Sequence, residues 1–183
     1  DDLKYELTMQ EIDIINAEHI LPGFGVQLAH AQRFPSMIRY LFADLVTVAG
    51  WKAYAVTMLI EEGFGDWEKE YQILKLKTEI SIIARAMVEA KYYIGEMSRE
   101  EAVSYLQNHA FMKKDEANMF QLKSDLHLFS GTQSFIGMME MNSLYNEYKR
   151  NQGDEFNILE FHRRVLSNGI IPFYELKKQI LSP

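Results

Sequence analysis

The feature that most constrains the fold is a long run of apolar residues at helical spacing in the middle of the chain. Apolar side chains recur every three or four positions, at Ile73, Leu76, Ile80, Ile83, Met87, Ala90 and Ile94. This spacing places them along one side of an α-helix. Ile82, Tyr92 and Tyr93 widen the apolar surface beyond one stripe. We therefore predict a long helix from about residue 67 to 94 that packs on several neighbours within the chain, with a coiled-coil dimer as the alternative.

The rest of the chain is also patterned for helices, and several helix ends carry capping residues. One helix is predicted from about residue 36 to 61, where Gly63-Phe64-Gly65 breaks it and Asp66 would cap the next one. Ser98 and Glu101 have the spacing of a capping box, as do Asn157 and Glu160. Further helices are predicted at about 115–127, after a connector at 130–132, and after Pro172. Because no linker divides the chain, we predict an all-α fold: one multi-helix domain over residues 1–183.

Composition excludes several classes of function. The formal net charge is −7 and the basic residues are scattered, which argues against nucleic-acid binding. The chain has no Cys, so disulfides, thiolate catalysis and Cys-based zinc sites are excluded. No stretch approaches the roughly 20 apolar residues of a membrane span. These observations leave a globular helical protein whose function must be sought in short motifs.

Two segments carry such motifs, and both resemble the signatures of one bacterial family. The first runs Glu18-His19-Ile20-Leu21-Pro22-Gly23-Phe24-Gly25-Val26-Gln27, and the second runs Ala49-Gly50-Trp51-Lys52-Ala53-Tyr54. The residues that carry the resemblance are Pro22, Gly23 and Gln27 of the first segment and Gly50, Trp51, Ala53 and Tyr54 of the second. They resemble the signatures of domain-of-unknown-function family 885, a family similar to helical zinc metallopeptidases. Segments 61–65, 85–102 and 153–172 follow the same family's order. The resemblance spans nearly the whole chain and implies the C-terminal half of a helical zinc-peptidase-like fold.

The resemblance implies a zinc centre whose ligands and general base are replaced in this chain. In the family, two His of the first signature and a Glu of the second would bind zinc, and another Glu would activate water. The corresponding positions here are Glu18, His19, Phe24, Gly25, Ala49 and Tyr93. Glu18 and His19 cannot simply exchange roles, because adjacent residues on a helix point about 100° apart. We therefore expect no catalytic residue, no metal ligand and no cofactor, although zinc is expected for the family.

Five other residues are candidate remnants of the family's cleft. They are Gln27, Trp51, Tyr54, Arg85 and Glu89. Glu89 follows Arg85 by four positions, the spacing of a helical ion pair. Phe24, Ala49 and Tyr93 would make the former metal centre apolar. A cleft of that kind is expected to hold a peptide or a small apolar ligand.

The motifs together favour a catalytically inactive, zinc-peptidase-like domain with a structural or ligand-binding role. Two alternatives stay open: an active metal-dependent hydrolase with other ligands, and an oligomerisation or scaffold module that forms a homo-oligomer. Members of the resembled family are several-fold longer, so the chain is expected to be a C-terminal portion of a bacterial protein. A signal or lipid anchor on the longer protein would make it extracytoplasmic.

Overall fold

The chain folds into helices throughout the part that the structure describes. The computed structural model describes residues 7–34 and 36–181, and these contain ten α-helices, two short 3-10 turns and no strand. The helices are α1 Met9–His19, α2 Phe24–Arg33, α3 Met37–Leu41, α4 Leu45–Glu61, α5 Lys69–Tyr93, α6 Arg99–His109, α7 Lys114–Leu126, α8 Ser130–Gln152, α9 Ile158–Ser167 and α10 Phe173–Leu181. The all-α prediction is confirmed. Within those ranges, no helix combines the length and apolar character that a membrane span requires.

The helix pair at the centre of the fold is α4 and α8, which approach each other at glycines. A methyl group at Gly50 would overlap the carbonyl oxygen of Gly137, and one at Gly137 would overlap the carbonyl oxygen of Val46. The two backbones therefore touch, with no side chain between them at this level. Only glycine at both positions permits this approach, since a side chain would have to push one helix outward.

Three apolar clusters surround this helix pair. One joins α4 and α8 to the C-terminal helices through Trp51, Tyr54, Met141, Leu144, Tyr148, Phe161, Val165, Leu166, Ile171, Phe173, Leu176 and Ile180. A second joins α5, α6 and α7 through Ala84, Val88, Ala102, Val103, Leu106, Ala110, Met112, Ala117 and Phe120. The third joins α1, α4 and α5 through Ile14, Ala17, Val56, Ile60 and Tyr71. Helices α4 and α5 each contribute to two clusters and thereby connect all three clusters.

Side-chain caps mark the starts of four helices, α1, α4, α6 and α9. Thr8 and Ser98 both form complete capping boxes with the glutamate three residues later. Asn157 accepts a hydrogen bond from the Glu160 amide, but the Glu160 side chain binds Arg163 and Arg164 instead of closing a box. The predicted capping box is therefore confirmed at Ser98 and only half formed at Asn157.

Three local predictions were wrong. Asp66 does not cap α5; it lies at positive φ in the 3-10 turn Phe64–Trp67, and Glu68 precedes the helix instead. Residues 130–132 are not a connector, because α8 begins at Ser130. The predicted helix at 36–61 is two helices, since Asp44 starts α4 by accepting the amide of Thr47.

The largest difference from the prediction concerns the apolar side of α5. The helix buries Tyr71, Ala84, Val88 and Glu89. The predicted stripe lies elsewhere on the helix: Ile73, Leu76, Ile80, Ile83 and Ile94 are between 39% and 67% exposed. Packing of that stripe on intramolecular neighbours is therefore not found among the described residues. Ile82, Tyr92 and Tyr93, which lie beside that stripe in the sequence pattern, are half-buried. These residues are therefore covered by the neighbouring helices to a greater extent than the stripe itself.

Candidate ligand-binding cleft

The two signature segments meet at the bend between α1 and α2. This bend contains the cis peptide bond between Leu21 and Pro22. The indole N–H of Trp51, on α4, donates to the carbonyl oxygens of Pro22 at 3.0 Å and Gly23 at 3.1 Å. A side chain at Gly23 would overlap the backbone of Glu18, so the bend needs glycine there. The bend is thus fixed by a buried donor from the second signature.

A cleft lies beside this bend, between α1, α4, α5 and α8. Its cavity volume is about 230 Å³. Three predicted residues line it: Glu18 from the first signature, Ala49 from the second, and Arg85 from α5. The apolar part of the wall includes Ile14, Ala53, Val56, Leu74 and Ile82. The structure therefore brings together parts of both signatures and one candidate remnant around a single cavity.

Charged residues on the cleft wall are arranged in ion pairs between helices. The Lys52 ammonium lies 2.9 Å from the Glu18 carboxylate, and Arg85 Nη2 lies 3.3 Å from Glu116. Lys77 lies at a longer 3.9 Å from Glu11, close to the limit for an ion pair. Because each carboxylate of the wall faces a cation, the wall has no excess of either charge. These pairs are partly exposed, so each contributes little stability by itself.

Four of the six positions that the resemblance assigns to a replaced zinc centre do not line the cleft. His19 is the exposed last residue of α1, with its Nε2 3.6 Å from Glu18. Phe24 and Gly25 begin α2 and are half-buried. Tyr93 lies at the other end of α5, where its hydroxyl donates to the carbonyl of Ser124 at 2.7 Å. Burial raises the pKa of that hydroxyl. These six positions are therefore split among three places, and the cleft wall carries charged as well as apolar side chains.

Glu89 has a structural role that the sequence did not indicate. Its buried carboxylate accepts hydrogen bonds from the amides of Gly131 and Thr132 and from the Thr132 hydroxyl. It thereby caps the N-terminus of α8 from a neighbouring helix, where the helix dipole favours a negative charge. The predicted ion pair with Arg85 is not formed, since the guanidinium of Arg85 bonds to Glu116.

The remaining candidates, Gln27 and Tyr54, lie in the packed interior. The Gln27 amide donates to the carbonyl of Thr47 at 3.4 Å. The Tyr54 hydroxyl lies 2.7 Å from Nε2 of His162. Burial raises the pKa of Tyr54 and lowers the pKa of His162, so a neutral phenol and a neutral imidazole share this hydrogen bond. Both residues are buried between helices and do not line the cleft.

The residues that the sequence did not identify are the charged partners on the wall. Lys52 was visible inside the second signature, directly after Trp51, but nothing local links it to Glu18. Glu11, Lys77 and Glu116 lie outside both signatures. The only available signal was the helical register, which places Ala49, Lys52, Ala53 and Val56 on one side of α4. That register predicts a shared face but not the helix opposite.

The donor set of the cleft does not fit a zinc centre. Zinc needs about three N, O or S ligands in tetrahedral geometry, with an open position for catalysis. Glu18 is engaged by Lys52, and Ala49 offers no donor atom. Throughout residues 7–34 and 36–181, no three His, Asp or Glu side chains are grouped closely enough to hold a metal ion. No reaction step through zinc is therefore derived for this cleft.

The fold and the cleft define an all-α domain with one charge-balanced cavity between its central helices. The chain belongs to the family of bacterial proteins of unknown function DUF885, whose sequence profile matches residues 6–180. No curated protein sequence matches it. This membership agrees with the motif resemblance and leaves the activity open.

Two solved structures share the fold. A "putative lipoprotein of unknown function" from Shewanella oneidensis superposes with a TM-score of 0.89 at 26% identity, over 96% of this chain and 32% of that one. A "putative lipoprotein" from Colwellia psychrerythraea also gives 0.89, at 20% identity, over 94% of this chain and 30% of that one. The chain therefore spans about a third of the length of these relatives.

Proposed function

We propose that this chain is a catalytically inactive binding domain, in which the cleft between α1, α4, α5 and α8 holds a small ligand or a short peptide. The observation that carries the proposal is the Lys52–Glu18 pair. Glu18 is the one carboxylate that the signatures bring to the cavity, and the Lys52 ammonium lies directly beside it. A cation at that place opposes the binding of a second, divalent cation.

The chemistry of the wall supports a ligand with an apolar body and little net charge. Apolar groups from three helices line the cavity, and the charged groups are already paired with one another. A strongly charged ligand would have to break one of these pairs without a matching gain. The volume lies below the roughly 300–1,000 Å³ of typical drug-sized sites, which favours a ligand no larger than a short peptide.

A thermal-shift screen with a matched pair of variants tests the proposal. The panel contains dipeptides with one apolar side chain and uncharged apolar molecules of similar size. At least one of them should raise the unfolding temperature by about 2 °C or more, because binding to the folded state stabilises it. Ala49→Leu adds atoms to the cleft wall and should abolish the shift. Ala29→Leu, at an exposed position on α2 outside the lining, should keep it.

The screen also separates this proposal from a purely structural role. If no member of the panel shifts the transition, or if the shift survives Ala49→Leu, the cleft is not a binding site. If Ala49→Leu and Ala29→Leu abolish the thermal shift equally, the cause is general destabilisation, and this result too would count against the site.

The location of the protein is a second part of the proposal. Both solved relatives carry the name lipoprotein, which supports an extracytoplasmic location for this chain. Fractionation of the source cells, followed by detection with an antibody to the purified chain, tests this. Signal in the membrane or periplasmic fraction is expected, and signal confined to the cytoplasm would contradict it.

A further inference from the structure

Helix α5 and its C-cap residue carry a row of exposed apolar side chains, the apolar face of α5. We define it as Ile73, Leu76, Ile80, Ile83 and Ile94, which are all exposed. At about 1.5 Å per residue it extends over roughly 30 Å. Single exposed apolar residues are ordinary, but a row of this length marks an interaction site. Another element with a matching apolar stripe is needed to cover it.

The spacing of the face specifies a helix as its partner. Its residues alternate at intervals of three and four, as the a and d positions of heptads do, with Ile73 and Ile80 at a and Leu76 and Ile83 at d. Side chains in this arrangement fit between those of a second helix that lies nearly parallel or antiparallel to α5. A small apolar molecule would cover only a small part of such a row.

The charges beside the face argue against a second copy of the chain. With Ile73 at position a, the flanking e positions are Lys77, Ala84 and Lys91, and Glu79 is at g. In a parallel pair, Glu79 would face no cation, because the matching e position is Ala84, which lies buried in the second cluster. In an antiparallel pair, Lys77 and Lys91 would face each other with like charge. Neither arrangement brings the lysines to a carboxylate, as matched coiled-coil flanks do.

The length of the relatives identifies a better partner. The two solved relatives share this fold over nearly all of the chain, yet about two-thirds of each relative lies outside the matched region. That additional polypeptide is long enough to supply helices that pack against the shared ones. We propose that the apolar face of α5 docks a helix from the portion of family-length chains that lies outside the matched third. The face is then an internal packing surface of the longer architecture.

Superposition on the Shewanella oneidensis structure gives the first test. The accessible area of the positions aligned with the α5 face is measured with and without the unmatched two-thirds of that chain. These positions should become mostly buried when the unmatched portion is present, and the covering element should be a helix. Positions that stay exposed, or that are covered by a strand or by another molecule, would overturn the proposal.

A binding experiment with this chain gives the second test. The probe is a fluorescently labelled peptide with the sequence of the covering helix from the Shewanella oneidensis protein. Saturable binding is expected, and Ile80→Glu with Ile83→Glu should weaken it by at least about tenfold, since two buried apolar contacts are lost. Leu159→Glu is the control, because Leu159 is exposed on α9, away from the face, and should leave binding unchanged.

Sedimentation of the same proteins completes the test. The chain without peptide should be monomeric from micromolar to near-millimolar concentration. Absence of saturable binding, or equal binding by the double variant and the Leu159 variant, would overturn the proposal. A dimer that the double variant abolishes would assign the face to a second copy, which also overturns it. None of these results depends on whether the cleft binds a ligand.

Discussion

The ammonium group of Lys52 lies 2.9 Å from the carboxylate of Glu18 across the cleft wall, and the two come from α4 and α1. The side chains are 23% and 31% exposed, so the pair is screened less than a surface pair. Its position ties the first signature segment to the second. It also determines what the Glu18 carboxylate is free to bind.

A double-mutant cycle tests whether this pair forms in solution. Lys52→Met and Glu18→Gln should show a coupling free energy of about 0.5–1.5 kcal/mol, larger than that of exposed pairs, and smaller in 1 M salt. The matched control is the exposed pair Glu175 and Lys178, with 50% exposure on both sides and an expected coupling smaller than that of Lys52 and Glu18. Urea unfolding followed by circular dichroism measures all variants. Zero coupling between Lys52 and Glu18 would show that the carboxylate is available to other partners.

Trp51 should be a major contributor to stability because it holds the bend through its indole N–H. Trp51→Phe removes the donor to the carbonyls of Pro22 and Gly23 and leaves a space in the core. A loss of about 2–4 kcal/mol in the free energy of unfolding is expected. Trp67→Phe serves as control, since Trp67 is 64% exposed and should change stability by less than about 1 kcal/mol. Similar losses for the two variants would contradict the assigned role of the indole.

The contact between α4 and α8 predicts a strong effect of adding one methyl group. Gly50→Ala would force the Cβ atom against the Gly137 carbonyl, so a loss of about 3 kcal/mol or more, or insoluble protein, is expected. At Gly95 the added carbon meets nothing within 4 Å, although φ is +77°. Gly95→Ala should therefore cost only about 1–2 kcal/mol, through backbone strain. Thermal unfolding of the two variants distinguishes these results, and a mild effect at Gly50 would contradict the close approach.

His162 predicts a pH dependence of stability. Burial lowers its pKa below the ordinary value of 6.5, so between these two pKa values the unfolded chain binds more protons than the folded one. The contribution of neutral His162 is fully present above about pH 7.5, declines as pH falls through 6.5, and levels off below the folded pKa. His162→Gln keeps an acceptor for the Tyr54 hydroxyl and should flatten the stability profile in this window. Identical slopes for wild type and variant would contradict a buried, neutral imidazole.

Local features of the fold could be predicted from the sequence, and contacts between distant segments could not. The Ser98 capping box follows from interactions within a few residues. Asp66 was misassigned because three consecutive positive-φ residues, Gly65, Asp66 and Trp67, extend the turn beyond the break. Periodicity identified α5 but could not say which side of it is covered, since an apolar stripe reports the need for a partner and not its presence.

The candidate site was predictable to a similar degree. The signatures correctly indicated that segments around Pro22 and Trp51 belong together, because both carry residues of one family pattern. They could not indicate that Lys52 faces Glu18, or that Glu89 caps α8, because those contacts depend on how α1, α5 and α8 pack. The position of Tyr93 away from the cleft could not be predicted either, because it also depends on how the helices pack.

Metal analysis of the protein purified without chelator tests the central claim most directly. If the family's zinc ligands are replaced in this chain, as at Phe24 and Ala49, the purified chain should contain less than about 0.1 zinc per molecule, since no set of described side chains competes for the ion. Glu18→Gln should leave that content unchanged. Zinc at close to one ion per chain, lost on Glu18→Gln, would contradict the account and identify an active metal site in the cleft.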